Sequence, residues 1–174
     1  SGPDNLMISG QVFGEELVIK AHRNFAYAIH SIQFRGKEFI DYYDHGRQLQ
    51  SASSFDGYGE CFNPTEAGST INGDIHRPST SVPVSYFAKG NAMRTITNMA
   101  FWMPANLRYD QPYCGTRTNV HSAVNQTDLS GHLLEKNVTI GFQGIENVLS
   151  YSIKYTVPEA HSTGTFEALT GYMP

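Results

Sequence analysis

The residues of this sequence that could do chemistry are concentrated between Asp41 and Arg77. The stretch carries carboxylates, amides, two histidines and several aromatic rings among many small polar residues. His45 and Arg47 are separated only by Gly46, so an extended backbone would point both side chains to the same face. Arginine presents a planar fork of donors, and glutamine both donates and accepts, which suits sugar hydroxyls or a uronate carboxylate. The segment therefore predicts a carbohydrate-binding site.

In this first hypothesis the polar side chains hydrogen-bond the sugar and a tyrosine ring stacks on it. The predicted ligand-binding residues are Arg47, Gln48, Tyr58, Asn63, His76 and Arg77. The same sequence also allows a purely structural interpretation, in which His45 and Arg47 form ion pairs with nearby acids and only hold the loop. The sequence leaves both interpretations open.

Glu60 and Glu66 are the carboxylates best suited to acid/base catalysis. Glycosidases place two carboxylates on either side of the scissile bond, and lyases and epimerases also need an acid and a base. A second hypothesis is therefore a carbohydrate-active enzyme, either a polysaccharide lyase, a glycoside hydrolase or an epimerase. In it Glu60 or Glu66 is the acid or base and His45 is the proton partner. A third hypothesis is a structural or assembly protein.

No motif for a metal, a nucleotide cofactor or an activated nucleophile is present in the sequence. The seven histidines are scattered, and the zinc patterns HxH and HExxH are absent. The sequence also has no Asp-rich calcium loop, no GxSxG elbow and no GxGxxG loop. We therefore expect neither a metal nor a cofactor.

The composition narrows the class of protein further. Of the 174 residues 40% are hydrophobic and 12% aromatic, which is enough to build a core and argues against disorder. The net charge of −4 and the lack of a Lys/Arg run argue against nucleic-acid binding, and no apolar stretch is long enough to span a membrane. Only 16% of residues are charged, and Ser, Thr and Asn are frequent, which favours an extracellular or periplasmic protein. Cys61 and Cys114 could form one disulfide or remain two separate thiols.

The elements that must position these residues are predicted to be β-strands, because no segment has a sustained helical period. Two apolar runs around Arg35-Gly36-Lys37 predict a hairpin, and Gln143-Gly144 predicts a second turn. The other strand candidates are Leu17–Lys20, Val82–Phe87, Met93–Met103, Leu133–Phe142, Val148–Val157 and Thr165–Met173. The stretch from Asp41 to Pro83 has little periodicity and is predicted to be a long, ordered loop. The pattern is typical of an all-β antiparallel sandwich.

Three sequence blocks carry a resemblance to a known family. They are DHGRQLQSA (Asp44–Ala52), GECFNPTEAG (Gly59–Gly68) and FEALTGYMP (Phe166–Pro174). The chain resembles a bacterial family similar to the galactose-mutarotase-like β-sandwich. The resemblance implies a supersandwich, with a jelly roll as second choice, that binds sugars through His, Arg and acidic side chains.

Domains of that type are longer than this chain. We therefore expect residues 1–174 to form a single sandwich domain or the N-terminal part of a larger one. In the second case another chain or a C-terminal segment would complete the sheet.

Overall fold

The computed structural model describes residues 2–43, 49–69, 76–171 and 173. In these ranges the chain forms eleven β-strands and two 3₁₀ helices, Arg23–Phe25 and Gly59–Phe62. The strands are β1 Asn5–Val12, β2 Glu15–His22, β3 Ile29–Phe34, β4 Lys37–Glu38, β5 Leu49–Phe55, β6 Pro64–Thr65, β7 Val82–Lys89, β8 Ala92–Phe101, β9 Leu129–Phe142, β10 Ile145–Thr156 and β11 Gly164–Gly171. Within the described ranges there is no helix long and apolar enough to cross a membrane. The predicted all-β class is confirmed.

The strands form two antiparallel sheets. One has the order β1-β2-β3-β4, and the other has the order β10-β9-β8-β6-β5-β11, with β7 also paired to β8. The predicted hairpin is present, and its turn residues Arg35 and Gly36 both have positive φ, 52° and 74°. Gln143 and Gly144 repeat this pattern at the β9–β10 turn, with φ of 50° and 80°. Such turns match the twist of the strands that they join.

The main core lies between the two sheets. Ile8 of β1 and Ile19 of β2 pack in one buried cluster with Val138 and Ile140 of β9. Along β1 and β9 buried residues alternate with more exposed ones, because successive side chains of a strand point to opposite faces. The sheets approach closely at Gly10, where a Cβ atom would lie only 2.7 Å from Ile140 Cγ2. The two layers therefore form a sandwich.

The larger sheet curls until its two ends meet. The hydroxyl of Tyr155 on β10 lies 3.1 Å from the Ala52 carbonyl oxygen on β5 and 2.7 Å from that of Glu167 on β11. The ring of Tyr155 also packs on Phe166, with centroids 4.9 Å apart. Side-chain contacts thus nearly close this sheet into a barrel.

A fully buried ion pair joins β9 of this sheet to the residue that follows β6. Lys136 Nζ on β9 is 2.7 Å from Glu66 Oε2, and neither side chain is exposed to solvent. Lys136 also donates to the Tyr27 carbonyl oxygen at 2.9 Å, and Glu66 Oε1 accepts from the Ser51 amide at 3.3 Å. Both charges therefore have an opposite charge and a further hydrogen bond, which burial requires.

A disulfide between Cys61 and Cys114 holds the long connection from β8 to β9. It joins the second 3₁₀ helix to that connection, and both half-cystines are buried with Met103 and Ala123 in a separate apolar cluster. Of the two possibilities that the sequence allowed, the structure shows the disulfide.

The prediction of a loop throughout Asp41–Pro83 is wrong for Leu49–Phe55, which is strand β5. This strand is buried on both faces, and the side chains of Gln50 and Ser51 are hydrogen-bonded there. Ser51 Oγ donates to the Ala168 carbonyl oxygen at 2.7 Å, and Gln50 Oε1 accepts from the Ala67 amide at 3.0 Å. Because these partners are distant in sequence, hydrophobic periodicity does not reveal the strand.

We predict that Lys136→Met lowers the free energy of unfolding by about 3–5 kcal/mol, because it leaves the Glu66 carboxylate buried without its counter-charge. The double variant Lys136→Met/Glu66→Leu should lose less than the single variant. Urea unfolding at pH 7 measures both. Lys154→Met, on the exposed face of β10, is the matched control and should stay close to the wild type. A single variant as stable as the wild type would contradict the role of the pair.

Removal of the disulfide by Cys61→Ala/Cys114→Ala should lower the free energy of unfolding by about 4 kcal/mol, the loop-entropy value for a loop of this length. The sequence separation of the two cysteines is 53 residues. Chemical denaturation compares the variant with the wild type, with and without reductant. Reductant should destabilise the wild type alone. Equal stability of oxidised wild type and variant would contradict the prediction.

Candidate functional site

A polar cavity lies on the outer face of the four-stranded sheet and has a volume of about 400 Å³. Ile19 and Ala21 of β2 face the core, so the alternating residues Lys20 and His22 face the cavity. The side chains around it come from β2, β3, β4 and the segments beside them. They are Lys20, His22, Asn24, Phe25, His30, Ser31, Gln33, Glu38, Tyr42 and His76.

A bulge in the β2–β3 pairing brings a second histidine into this cavity. Lys20 pairs with Ser31 and Ala21 pairs with Ile29, so His30 is the extra residue between the two pairs. Bulges of this kind redirect a side chain without ending the strand. The His30 ring consequently lies beside His22, with centroids 5.7 Å apart in an edge-to-face arrangement.

Four rings form one wall of the cavity, which we call the aromatic cluster: His22, Phe25, His30 and Tyr42. Phe25 lies 5.7 Å from His30 and 6.2 Å from Tyr42, measured between ring centroids. Tyr42 in turn stacks on Tyr43 at 4.9 Å with an interplanar angle of 17°. Tyr43 is 69% exposed, so the aromatic surface continues from the cavity to the solvent.

Both histidines of the aromatic cluster are neutral at pH 7. Burial lowers the pKa of His22, and burial together with the neighbouring His22 lowers the pKa of His30 to about 4. Nδ1 of His22 accepts a hydrogen bond from the Asn24 amide at 3.0 Å, which places the proton on Nε2. The cavity therefore contains neutral imidazoles.

Glu38 has a structural role at the edge of the cavity. Its Oε1 accepts from the amides of Ile32 at 2.9 Å and Ile40 at 3.0 Å, and its Oε2 accepts from the Ser31 hydroxyl. The two carboxylate oxygens thus tie the strand after the hairpin turn to β3. Lys20 is the cationic side chain of the lining.

Among the residues predicted from the sequence, His76 lines this cavity. Arg77 is the next residue in the sequence and is exposed to solvent. His45, Arg47 and Gln48 lie outside the residues that the structure describes.

Three other predicted residues lie near the disulfide instead. The Tyr58 ring packs under the Arg117 guanidinium, whose carbon is 4.8 Å from the ring centroid. Asn63 donates from Nδ2 to the Ser53 carbonyl oxygen. Glu60 accepts a hydrogen bond of 2.7 Å from the Tyr109 hydroxyl, and burial followed by this contact raises the pKa of Tyr109 to about 12. These residues hold the loop region together.

Glu66, the second predicted acid/base residue, is the buried partner of Lys136. Glu60 is partnered at the surface by Tyr109. The two carboxylates therefore have different partners and different exposure.

Sequence analysis missed the cavity residues on β2 and β3. Their signal is polar side chains at alternate positions in otherwise apolar strands, as with Lys20 and His22 beside Ile19 and Ala21. It also missed a cluster of His132, Glu159 and His161, whose ligand atoms all lie within 4.8 Å of one another. These three residues could hold a metal ion. Glu159 and His161 are two positions apart, but His132 lies 27 residues before Glu159 on another segment, so local spacing does not reveal the set of three.

No protein-family model, no curated protein and no solved structure matches this chain. The function is therefore inferred from the geometry of the site.

We predict that His30 titrates near pH 4 and His22 below its ordinary value in a histidine-detected NMR titration. Because His30 has a lower pKa folded than unfolded, the unfolded chain binds more protons between about pH 4 and pH 6.5. The free energy of unfolding should therefore fall as the pH drops through this window. His30→Gln should reduce that fall in urea unfolding at pH 7 and pH 4.5. A His30 midpoint at or above 6.5 would contradict the described burial.

Proposed function

We propose that this protein binds carbohydrate in the cavity between β2, β3 and Tyr42. The observation that carries the proposal is the combination of the aromatic cluster with neutral hydrogen-bonding groups in one cavity. Sugars have hydroxyls that need donors and acceptors, and C–H faces that pack on rings. The Nε2–H of His22, the amides of Asn24 and Gln33, and the ring of Tyr42 supply both kinds of contact.

The size of the cavity supports a small ligand or one or two units of a longer glycan. Its volume of about 400 Å³ lies in the range of ordinary ligand sites. The stacked rings of Tyr42 and Tyr43 would extend the contact surface for further sugar units beyond the cavity.

The charges of the lining favour a sugar acid over a basic sugar. Lys20 contributes an ammonium group, whereas the oxygens of Glu38 are engaged by Ser31 and two backbone amides. A uronate carboxylate would find a cation there, with the imidazoles of His22 and His30 beside it.

The type of fold and the location that we propose are consistent with carbohydrate binding. The sequence blocks resemble a family of mutarotase-like sandwiches, and we propose that kind of β-sandwich for this chain. A disulfide is typical of proteins in oxidising compartments, which supports a periplasmic or extracellular location.

Binding is proposed instead of catalysis for a specific reason. Glu66 is fully buried against Lys136, and Glu60 hydrogen-bonds Tyr109 and is not part of the cavity lining. Assays for new reducing ends and unsaturated uronates over the same glycans separate the two activities.

We predict millimolar or tighter binding of at least one uronate-containing or neutral glycan, measured on a glycan array and by titration calorimetry. Tyr42→Ala should weaken that binding by about 2- to 12-fold, because a ring contact is worth roughly 0.5–1.5 kcal/mol. Gln33→Ala should also weaken it. Lys20→Met should weaken uronate binding and spare neutral glycans.

Tyr109→Phe is the matched control, since it removes a hydroxyl at the surface near Glu60 and leaves the cavity unchanged. It should bind like the wild type. Circular dichroism should show each variant folded. The proposal is wrong if the whole panel gives no binding, or if folded Tyr42→Ala and Gln33→Ala bind as tightly as the wild type.

A further inference from the structure

A second constellation lies at the other sheet, where the β10–β11 connection crosses the end of the curled sheet. His132 is on the inward face of β9, and Glu159 and His161 belong to the connection. The His161 ring stacks on Phe55 with centroids 4.3 Å apart, and the His132 ring lies 5.1 Å from Phe55. This packing holds both imidazoles against one another.

The two imidazoles converge on a single carboxylate oxygen. His132 Nε2 lies 2.6 Å and His161 Nε2 lies 3.2 Å from Glu159 Oε1. Zinc binds nitrogen and oxygen at about 2.0–2.2 Å, so neighbouring ligand atoms of a tetrahedral site are about 3.3 Å apart. A small outward movement of the half-exposed Glu159 side chain would bring its short distance to His132 Nε2 to that spacing.

A second carboxylate orients His161 from behind. Asp56 Oδ2 accepts from His161 Nδ1 at 2.7 Å, and Asp56 Oδ1 accepts from the Ser162 amide at 2.6 Å and the Ser162 hydroxyl at 2.9 Å. Nδ1 of His161 therefore carries a proton, and Nε2 is the ring nitrogen on the side of Glu159. A carboxylate behind a histidine is the usual outer support of a metal ligand.

The nitrogen that would bind the ion is buried and lacks a proper hydrogen bond. Among the described residues, His161 Nε2 has no hydrogen-bond partner of acceptable geometry, although the atom is inaccessible to solvent. The side chain of His132 is 1% exposed and that of His161 is 11% exposed. Buried polar atoms normally have a hydrogen-bond partner or another ligand, and a cation would supply one for Nε2.

The charge balance and the ligand types also fit a divalent transition metal. Two neutral imidazoles with the carboxylates of Glu159 and Asp56 carry a formal charge of −2, which one dication cancels beside the apolar rings. Imidazole nitrogens suit zinc, whereas magnesium and calcium prefer oxygen ligands. Glu159 is 40% exposed, so an ion could enter on its side.

We propose that His132, Glu159 and His161 bind one Zn²⁺ ion, with Asp56 as the positioning residue behind His161. Three protein ligands leave the fourth position of the tetrahedron toward the solvent, where water or an anionic group would bind. The site does not depend on carbohydrate binding.

The test uses the full chain after dialysis against EDTA and then against metal-free buffer. Titration calorimetry with ZnCl₂ should show one ion per chain, and inductively coupled plasma mass spectrometry should confirm this ratio after desalting. CoCl₂ should produce the visible absorption of four- or five-coordinate Co²⁺. MgCl₂ should produce no binding signal at the same concentrations.

Variants assign the ligands. Glu159→Gln and His161→Ala should abolish the one-to-one binding, and Asp56→Asn should weaken it by about 10- to 100-fold. His121→Ala, which removes an exposed histidine outside the cluster, should bind like the wild type. Glu159→Gln changes a partly exposed side chain, so this variant keeps the test decisive if His161→Ala fails to fold.

Two results would overturn the proposal. One is the absence of one-to-one Zn²⁺ binding to the folded wild type. The other is binding that survives in folded Glu159→Gln, because the ion would then be held elsewhere. In either case the cluster would be a hydrogen-bonded link between β9 and the β10–β11 connection.

Discussion

The buried ion pair between Lys136 and Glu66 is the interaction on which the curled sheet depends. Lys136 belongs to β9, Glu66 follows β6, and their further hydrogen bonds reach Ser51 on β5 and the backbone of Tyr27. Charges without access to water are tolerated only when such partners are all in place, so the pair restricts how these segments can be arranged. Beside it, burial and then the charge of Glu66 raise the pKa of the Tyr151 hydroxyl, which stays neutral and lies 3.4 Å from Ser51 Oγ.

The two polar sites arise at places where the sandwich departs from regular alternation. On the four-stranded sheet, the bulge at His30 adds a side chain to the outer face, and Tyr42 covers it from the segment after β4. On the larger sheet, the β8–β9 pairing shifts register between Asn98–Leu133 and Ala100–Leu129, beside His132, and the β10–β11 connection folds back over this point. Each site thus combines a rigid strand with a loop, an arrangement in which the sheet supplies fixed positions and the loop supplies access.

Whether a strand can be predicted from the sequence depends on how far along the chain its stabilising contacts reach. In β9 and β10 the alternation of Val138 and Ile140 with Asn137 and Thr139 reports burial of one face, and these strands were predicted. β5 was not predicted, since its polar residues are buried and the partners of Ser51 and Gln50 lie elsewhere along the chain. The same limit applied to the sites: His76 was included in the prediction, whereas His22, His30 and the His132–Glu159–His161 cluster were not.

The sequence by itself determined the all-β class, the hairpin turns at Arg35-Gly36 and Gln143-Gly144 and the polar character of the protein. These properties depend on local backbone preferences and on composition, both of which can be read residue by residue. Only the tertiary structure decided that Cys61 meets Cys114, that Glu66 meets Lys136 and that His132 meets His161. Each of these contacts joins segments distant along the chain, and their meeting is decided by strand order and sheet curvature, which no local pattern encodes.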